Sequence, residues 1–328
     1  MSSSKEIQML INNQEELLIP DDPMQAEVDY QSVLYPTAFI PEYKQTWTQL
    51  TKNKSTPTLM TLLKEMPSIP TVRLGLMEFL GVFLLMFIGN LATVENSSTN
   101  NTHTSNTAFV AVMWGSLFFL IIRTLPGVVL IPWVSLYNWF FAHKADQERP
   151  TEGKLTYRSE NITFHYVLSR LPRVLFIVVC QFAGGLVASI VLYLVQNRNA
   201  DRIGETVPSS RISDDTQIIG YEFTAAFIFI MMVNLFSPPR KITPIQQAGY
   251  ISFTVFILYM AFGDLTGCGL SWVRTFGPAA MRGMAGHEWK ANTAYYLVGQ
   301  IVGFSSAGII VHLYRVFKRN YIESNSKK

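Results

Sequence analysis

The chain has 328 residues, of which 49% are hydrophobic and only 15% charged; soluble domains carry roughly 25% charged residues, so a soluble globular protein is excluded. A formal net charge of +3 is too small to argue for nucleic acid, and the basic residues are segregated by loop rather than clustered. Two cysteines, Cys180 and Cys268, and five histidines without ligand spacing leave no disulfide framework, metal site or cofactor to read.

Residues 1–70 are rich in Gln, Asn, Thr, Pro and charges and read as a mostly disordered cytoplasmic tail. Its aromatics, Tyr30, Tyr35, Phe39, Tyr43 and Trp47, either dock on the membrane face or plug an opening; a solvated tail with sorting or modification sites is the simpler reading. No apolar h-region lies near Met1, so the first span is expected to act as its own insertion signal.

Six apolar runs then follow that can cross about 30 Å of hydrocarbon as helices: Leu74–Val94, Ala108–Leu125, Val174–Val195, Ile218–Phe236, Ala248–Phe262 with its flanks, and Thr293–Phe317. A seventh piece, Val128–Ala142, is too short to cross and carries Pro132 near its start, where a helix tolerates proline because the missing N–H is not needed. It reads as a half-helix. Between the fifth and sixth spans lies Asp264–Ala279, DLTGCGLSWVRTFGPA, a Gly-rich segment holding the bare cation Arg274. A guanidinium at that depth marks a functional site unless it is merely solvated in an ordinary loop. The segment reads as a re-entrant loop, with Gly267 and Gly269 freeing the backbone and a second half-helix over Ser271–Met281.

With the N-terminus cytoplasmic, the inner loops and tails hold 20 of the 26 Lys and Arg residues, and the Val94–Thr107 loop outside holds none, as retention of positive charge inside requires. Two glycosylation sequons, at Asn96 and Asn100, fall in that outer loop. Both termini are therefore expected in the cytoplasm, in the plasma membrane or an internal one.

The chain also repeats itself. Glu78-Phe79-x-x-x-Phe83 recurs 144 residues later as Glu222-Phe223-x-x-x-Phe227, and the half-helices open 140 residues apart, at Ile131 and Ser271. Three spans separate the copies, and an odd number inverts the second. Inverted repeats with broken helices meeting at the midplane are how transport pathways are built. The two glutamates need partners at that depth, and the backbone N–H groups of the re-entrant loops can supply them. The domains expected are the tail to residue 70, a membrane domain over 71–320 (repeats at about 74–195 and 218–317), and a short tail over 321–328.

From about Leu74 to Phe317 the residues resemble the aquaporin (major intrinsic protein) family. Glu78-Phe-Leu-Gly-Val-Phe-Leu-Leu-Met-Phe-Ile-Gly89 is similar to its first span and Gly220-Tyr-Glu-Phe-Thr-Ala-Ala-Phe227 to its fourth. Gln181-Phe-Ala-Gly-Gly185 resembles the third span, and Asp264-Leu-Thr-Gly-Cys-Gly269 with Arg274-Thr-Phe-Gly-Pro278 the flanks of the second signature loop. The resemblance implies an all-α membrane protein of six transmembrane helices and two re-entrant half-helices in an inverted repeat, with one pore per subunit of a homotetramer.

The family opens each half-helix with Asn-Pro-Ala, whose asparagine amides donate to water midway through the pore. Here the first site reads Ile131-Pro132-Trp133 and the second Ser271-Trp272-Val273. Ile131 cannot donate, while Ser271 offers one hydroxyl. An indole at each site either packs between the half-helices or protrudes into the pore and narrows it. By resemblance the selectivity filter holds Arg274, Tyr259 fifteen residues earlier in place of histidine, Leu270 through its carbonyl, and from the second span either Trp114 or Ala111. Cys268 aligns with a pore-facing cysteine of some relatives, beside Gly269, or is a small buried hydrophobe. Thr275-Phe276 after the arginine, where glycerol-conducting relatives carry Asp, favours a narrow water-type mouth. In the last span, Gly299, Gly303, Ser305-Ser306-Ala307 and Gly308 supply small residues for close helix approach.

The function expected is a passive channel for water or another small neutral solute. The competing reading is a non-conducting scaffold or regulatory protein of the same fold, its pore blocked by Trp133 or Trp272; a pore for hydrogen peroxide, glycerol or another solute comes third. Enzyme activity is not expected, since the sequence presents no constellation of nucleophile, base and metal.

Overall fold

The structure is a computed structural model describing residues 69–99, 103–125, 127–141, 164–234, 244–288 and 292–326. The expected tail over 1–70 lies almost wholly outside them, as does the Asn100 sequon. Eight helices are described: α1 (Ile69–Thr99), α2 (His103–Thr124), α3 (Pro132–Phe141), α4 (Phe164–Val195), α5 (Asp215–Asn234), α6 (Pro244–Thr266), α7 (Trp272–Met284) and α8 (Thr293–Ser326). A short 3-10 turn, Ala200–Arg202, sits between α4 and α5.

Six of these are long and apolar enough to cross a membrane: Thr71–Val94, Thr107–Thr124, Leu171–Val195, Asp215–Val233, Ile245–Thr266 and Thr293–Tyr314. They are amphipathic only weakly, because one face meets lipid and the other meets protein, and both are apolar. Helix ends run past the apolar runs. α1 continues to Thr99, so Asn96 stands on its last turn rather than in a loop, and α8 continues to Ser326, beyond the expected end at Phe317.

The half-helices differ from expectation at their starts. α3 begins at Pro132, and Val128–Ile131 before it is loop rather than helix, with Leu130 in the left-handed region at φ 65°. α7 begins at Trp272 and runs on to Met284. Ser271 is its N-cap residue, although its hydroxyl makes no capping bond.

The packing is that of a duplicated unit. α1 lies along α4 as α5 lies along α8; α3 touches α4 and α8, and α7 touches α8 and α4. The two halves join where α2 crosses α6. At the tightest contacts the helices meet through glycine. A methyl group built on Gly184 of α4 would collide with the Phe79 carbonyl of α1, and one on Gly303 of α8 with the Phe223 carbonyl of α5. Side chains would hold these backbones apart, so small residues are what van der Waals packing between membrane helices demands. The core runs down the centre, from Val82, Leu85 and Met86 through Trp114, Phe118 and Ile121 to Val255, Leu258 and Tyr259.

Candidate functional site

Two carboxylates hold the re-entrant loops. Glu78, fully buried, accepts the Val129 N–H at 2.6 Å and the Leu130 N–H at 3.0 Å. Gln181 donates to the same carboxylate at 3.0 Å and to the Ser135 hydroxyl at 3.1 Å. In the second half Glu222 accepts the Gly269 N–H at 3.0 Å, the Leu270 N–H at 3.3 Å, the Thr266 hydroxyl at 2.7 Å and Gln300 Nε2 at 2.8 Å. Loops at this depth have no water for their amides, and the carboxylates stand in for it.

The glycines of the second loop divide the work differently from the sequence reading. Gly267 does adopt a left-handed φ of 78°, but so do Cys268 (48°) and Leu270 (46°), while Gly269 does not. Gly269 is required for space instead: a Cβ there would lie 2.6 Å from Gln300 Nε2 and 2.9 Å from a Glu222 oxygen. The strain at Cys268 and Leu270 persists because the loop amides are pinned to Glu222.

The half-helices therefore aim their N-terminal ends at one another, each with a partial positive charge. Arg274 sits in the first turn of α7, only 2% exposed. Nη1 donates to Asn90 Oδ1 at 2.5 Å and the Gly204 carbonyl at 3.4 Å; Nη2 donates to the Tyr259 hydroxyl at 3.0 Å and the Gly267 carbonyl at 3.4 Å. Those four oxygens are neutral. The guanidinium centre also lies 4.6 Å from the Trp114 ring centroid and 5.9 Å from that of Tyr259, and the two rings stack 5.9 Å apart at 14°. A buried cation is held here by dipoles and ring faces.

Beside this cluster lies a cavity of about 20 Å³, room for a water molecule or two. Leu85, Met86, Phe118, Leu130, Ile131 and Val255 form its apolar wall, and Trp114, Tyr259, Cys268, Gly269, Leu270, Ser271 and Arg274 the remainder. The Ser271 hydroxyl and the Trp114 indole N–H have no hydrogen-bond partner among the described residues. Of the two second-span candidates, Trp114 lines the cavity, whereas Ala111 is buried in the core.

Trp133 and Trp272 are not among the lining residues. Their rings meet edge to face at 4.2 Å, Trp133 stacks on Phe304 at 6.3 Å, and Trp272 donates from Nε1 to the Leu297 carbonyl at 3.4 Å. Of the two arrangements open from the sequence, the indoles adopt the packed one. Pro132 is buried beside them, and Val273 fills the space over Gly185 of α4.

Sequence reasoning missed Asn90, Thr266, and the part Gln181 and Gln300 play in holding the glutamates. A signal for the last two was present: Gln181-x-x-Gly184 repeats as Gln300-x-x-Gly303. Asn90 carried no such signal, because only the fold brings it 184 positions along the chain to Arg274.

Six spans in an inverted repeat, with two half-helices meeting over a buried arginine, define the fold of a membrane channel class. Residues 161–313 match the family model of the major intrinsic proteins, a family of membrane channels. It is 24% identical over 260 residues to the aquaporin PIP1-2 of Musa acuminata, covering 75% of this chain and 79% of that protein. It is 21% identical over 248 residues to nodulin-26 of Glycine max, covering 76% and 80%. With NIP4-1 of Arabidopsis thaliana it shares 23% over 135 residues, 41% of this chain and 45% of that protein. The aquaglyceroporin of Plasmodium falciparum superposes with a TM-score of 0.56 at 18% identity, over 74% of this chain and 95% of that one, a likeness of fold.

Proposed function

We propose that this protein is a passive channel for water, with other small neutral solutes as further candidates. The observation that carries the reading is convergence: both half-helix ends, each pinned by a buried glutamate, face one cavity beside Arg274. The arginine and the two helix dipoles oppose cations and protons. Tyr259, Ser271, Cys268 and the backbone at Leu270 are the polar groups along the path, and Ile131 is its apolar side.

The lost asparagines leave Ser271 as the one triplet-site donor facing the cavity, which supports slow conduction over fast. Hydrogen peroxide and glycerol remain solutes to assay beside water. A homotetramer, cytoplasmic termini, and glycosylation at Asn96 and Asn100 complete the reading.

The non-conducting scaffold is favoured by one observation, the small size of the cavity. The packed tryptophan pair argues against Trp133 or Trp272 as its plug.

The deciding experiment is stopped-flow osmotic shrinkage of proteoliposomes. Shrinkage well above protein-free liposomes, abolished by Ile131→Trp in the cavity wall, supports the channel. Shrinkage equal to protein-free liposomes, unchanged by Trp114→Ala, Trp133→Ala and Trp272→Ala, overturns it.

A further inference from the structure

Trp114 covers the face of Arg274, with its ring centroid 4.6 Å from the guanidinium carbon. Each terminal nitrogen of that guanidinium already donates to two oxygens, Nη1 to Asn90 and Gly204 and Nη2 to Tyr259 and Gly267; only Nε lacks a partner. A solute approaching the arginine therefore finds one face covered by the indole and the terminal donors occupied. We propose that Trp114 is the gate of the pore, closed in this structure, and that conduction requires the indole to turn off the guanidinium.

Three observations make the ring a movable part rather than a fixed wall. It is 2% exposed, yet its Nε1 has no hydrogen-bond partner, so turning the ring breaks no hydrogen bond. It is held instead by ring faces, lying on Arg274 and stacked with Tyr259 at 5.9 Å. It also rests in a slot on α1, where a Cβ at Gly89 would lie 2.6 Å from its Cζ2; a residue other than glycine there would push the ring from its place. Arg274 is by contrast tied to the Tyr259 hydroxyl, to Asn90 and to the Gly204 and Gly267 carbonyls, so the aromatic lid moves against a rigid frame. This rests on the channel reading and adds to it: the closure lies at Trp114, not at Trp133 or Trp272.

The test compares the wild type, Trp114→Ala and Trp114→Phe in proteoliposomes, each first shown to be monodisperse and helical. Water permeability is read by stopped-flow light scattering over a range of temperatures, with glycerol as a second probe. The gate predicts a rise in water permeability on the order of tenfold for Trp114→Ala, the population change expected from losing one desolvated cation–π contact. It also predicts a smaller rise for Trp114→Phe, a lower activation energy in both, and glycerol entry in the alanine variant alone. Trp114→Phe keeps an aromatic core residue and carries the test if the alanine variant does not fold. Wild-type permeability well above protein-free liposomes, with variants equal to it, overturns the gate and leaves the channel standing. All proteins equal to protein-free liposomes overturns both.

Discussion

The indoles of Trp133 and Trp272 meet edge to face with centroids 4.2 Å apart and planes at 71°, where the two half-helices abut. Each belongs to a different repeat, so the contact joins the halves of the molecule at their midpoint. Phe304 of α8 and Phe182 of α4 flank the pair at 6.3 and 6.4 Å. Of the two arrangements open from the sequence, packed between the half-helices or protruding into the pore, the rings take the first and clasp the two helix ends.

That clasp is measurable. Trp133→Ala and Trp272→Ala are each expected to destabilise the protein by about 3 kcal/mol, as large-to-small changes at packed aromatic sites do. A double-mutant cycle in detergent, read by thermal unfolding, should return a coupling of about 1 kcal/mol, the range of aromatic pairs beyond burial. A coupling near zero would mean that the rings are neighbours without being partners.

Glu222 should tolerate least. Its carboxylate satisfies four donors, from Thr266, Gly269, Leu270 and Gln300, and Glu222→Ala would strand two loop amides where water does not reach them. At about 1–3 kcal/mol for each buried donor left unmade, the variant should fail to yield monodisperse protein. Glu78→Ala should do the same through Val129 and Leu130. Gln300→Leu, which removes one neutral donor, should reach the membrane with a reduced melting temperature.

Helix approach supplies a steric test. Gly184→Ala and Gly303→Ala each drive a methyl group into a backbone carbonyl of the facing helix, which cannot rotate away as a side chain can. Overpacking of this kind costs about 1–3 kcal/mol. Gly220→Ala is the control, because nothing lies within 4 Å of a Cβ built there, and its melting temperature should stay unchanged or rise slightly through helix propensity.

Given the channel, Arg274→Ala should raise proton and cation leak. The substitution deletes a fixed charge in a low-dielectric passage, where its field is least screened. A pH-sensitive dye trapped in proteoliposomes, under a potassium gradient with valinomycin, reads the leak. Equal leak in both proteins would assign the barrier to the half-helix dipoles alone.

A pH effect is expected at the start of α5, outside the spans. The Thr216 hydroxyl at 2.6 Å and its N–H at 3.0 Å hold the Asp214 carboxyl below the ordinary carboxylate range. A lowered folded-state pKa contributes stability above the unfolded value, near 3.9, and that contribution is lost as pH falls through the lowered value. Asp214→Asn keeps the cap and should flatten the acid limb of the melting-temperature profile without moving the neutral plateau.

Much of the architecture was legible because it rests on local chemistry. Apolar runs of the right length must become spanning helices, since only helices satisfy their own backbone in lipid. The paired glutamates announced the repeat because a carboxylate at that depth has to meet donors. Helix ends were less legible, because α1 and α8 extend past their apolar stretch, where hydropathy carries no signal. In the second loop the sequence pointed to Gly267 and Gly269 as the residues that free the backbone; the left-handed turns fell at Gly267, Cys268 and Leu270 and not at Gly269, because which residue bears strain depends on where Glu222 pins the amides.

Six spans, two broken helices, their inversion and an arginine in the second loop could all be read from the residues alone. Each follows from the cost of placing polar groups in hydrocarbon, a constraint every residue obeys locally. What each tryptophan meets, by contrast, was set by the fold. Trp114, Trp133 and Trp272 are alike as residues, and their roles part according to what they face: Arg274 for the first, each other for the second and third. That is a matter of distances between segments far apart in the chain, and hydropathy has no memory of those.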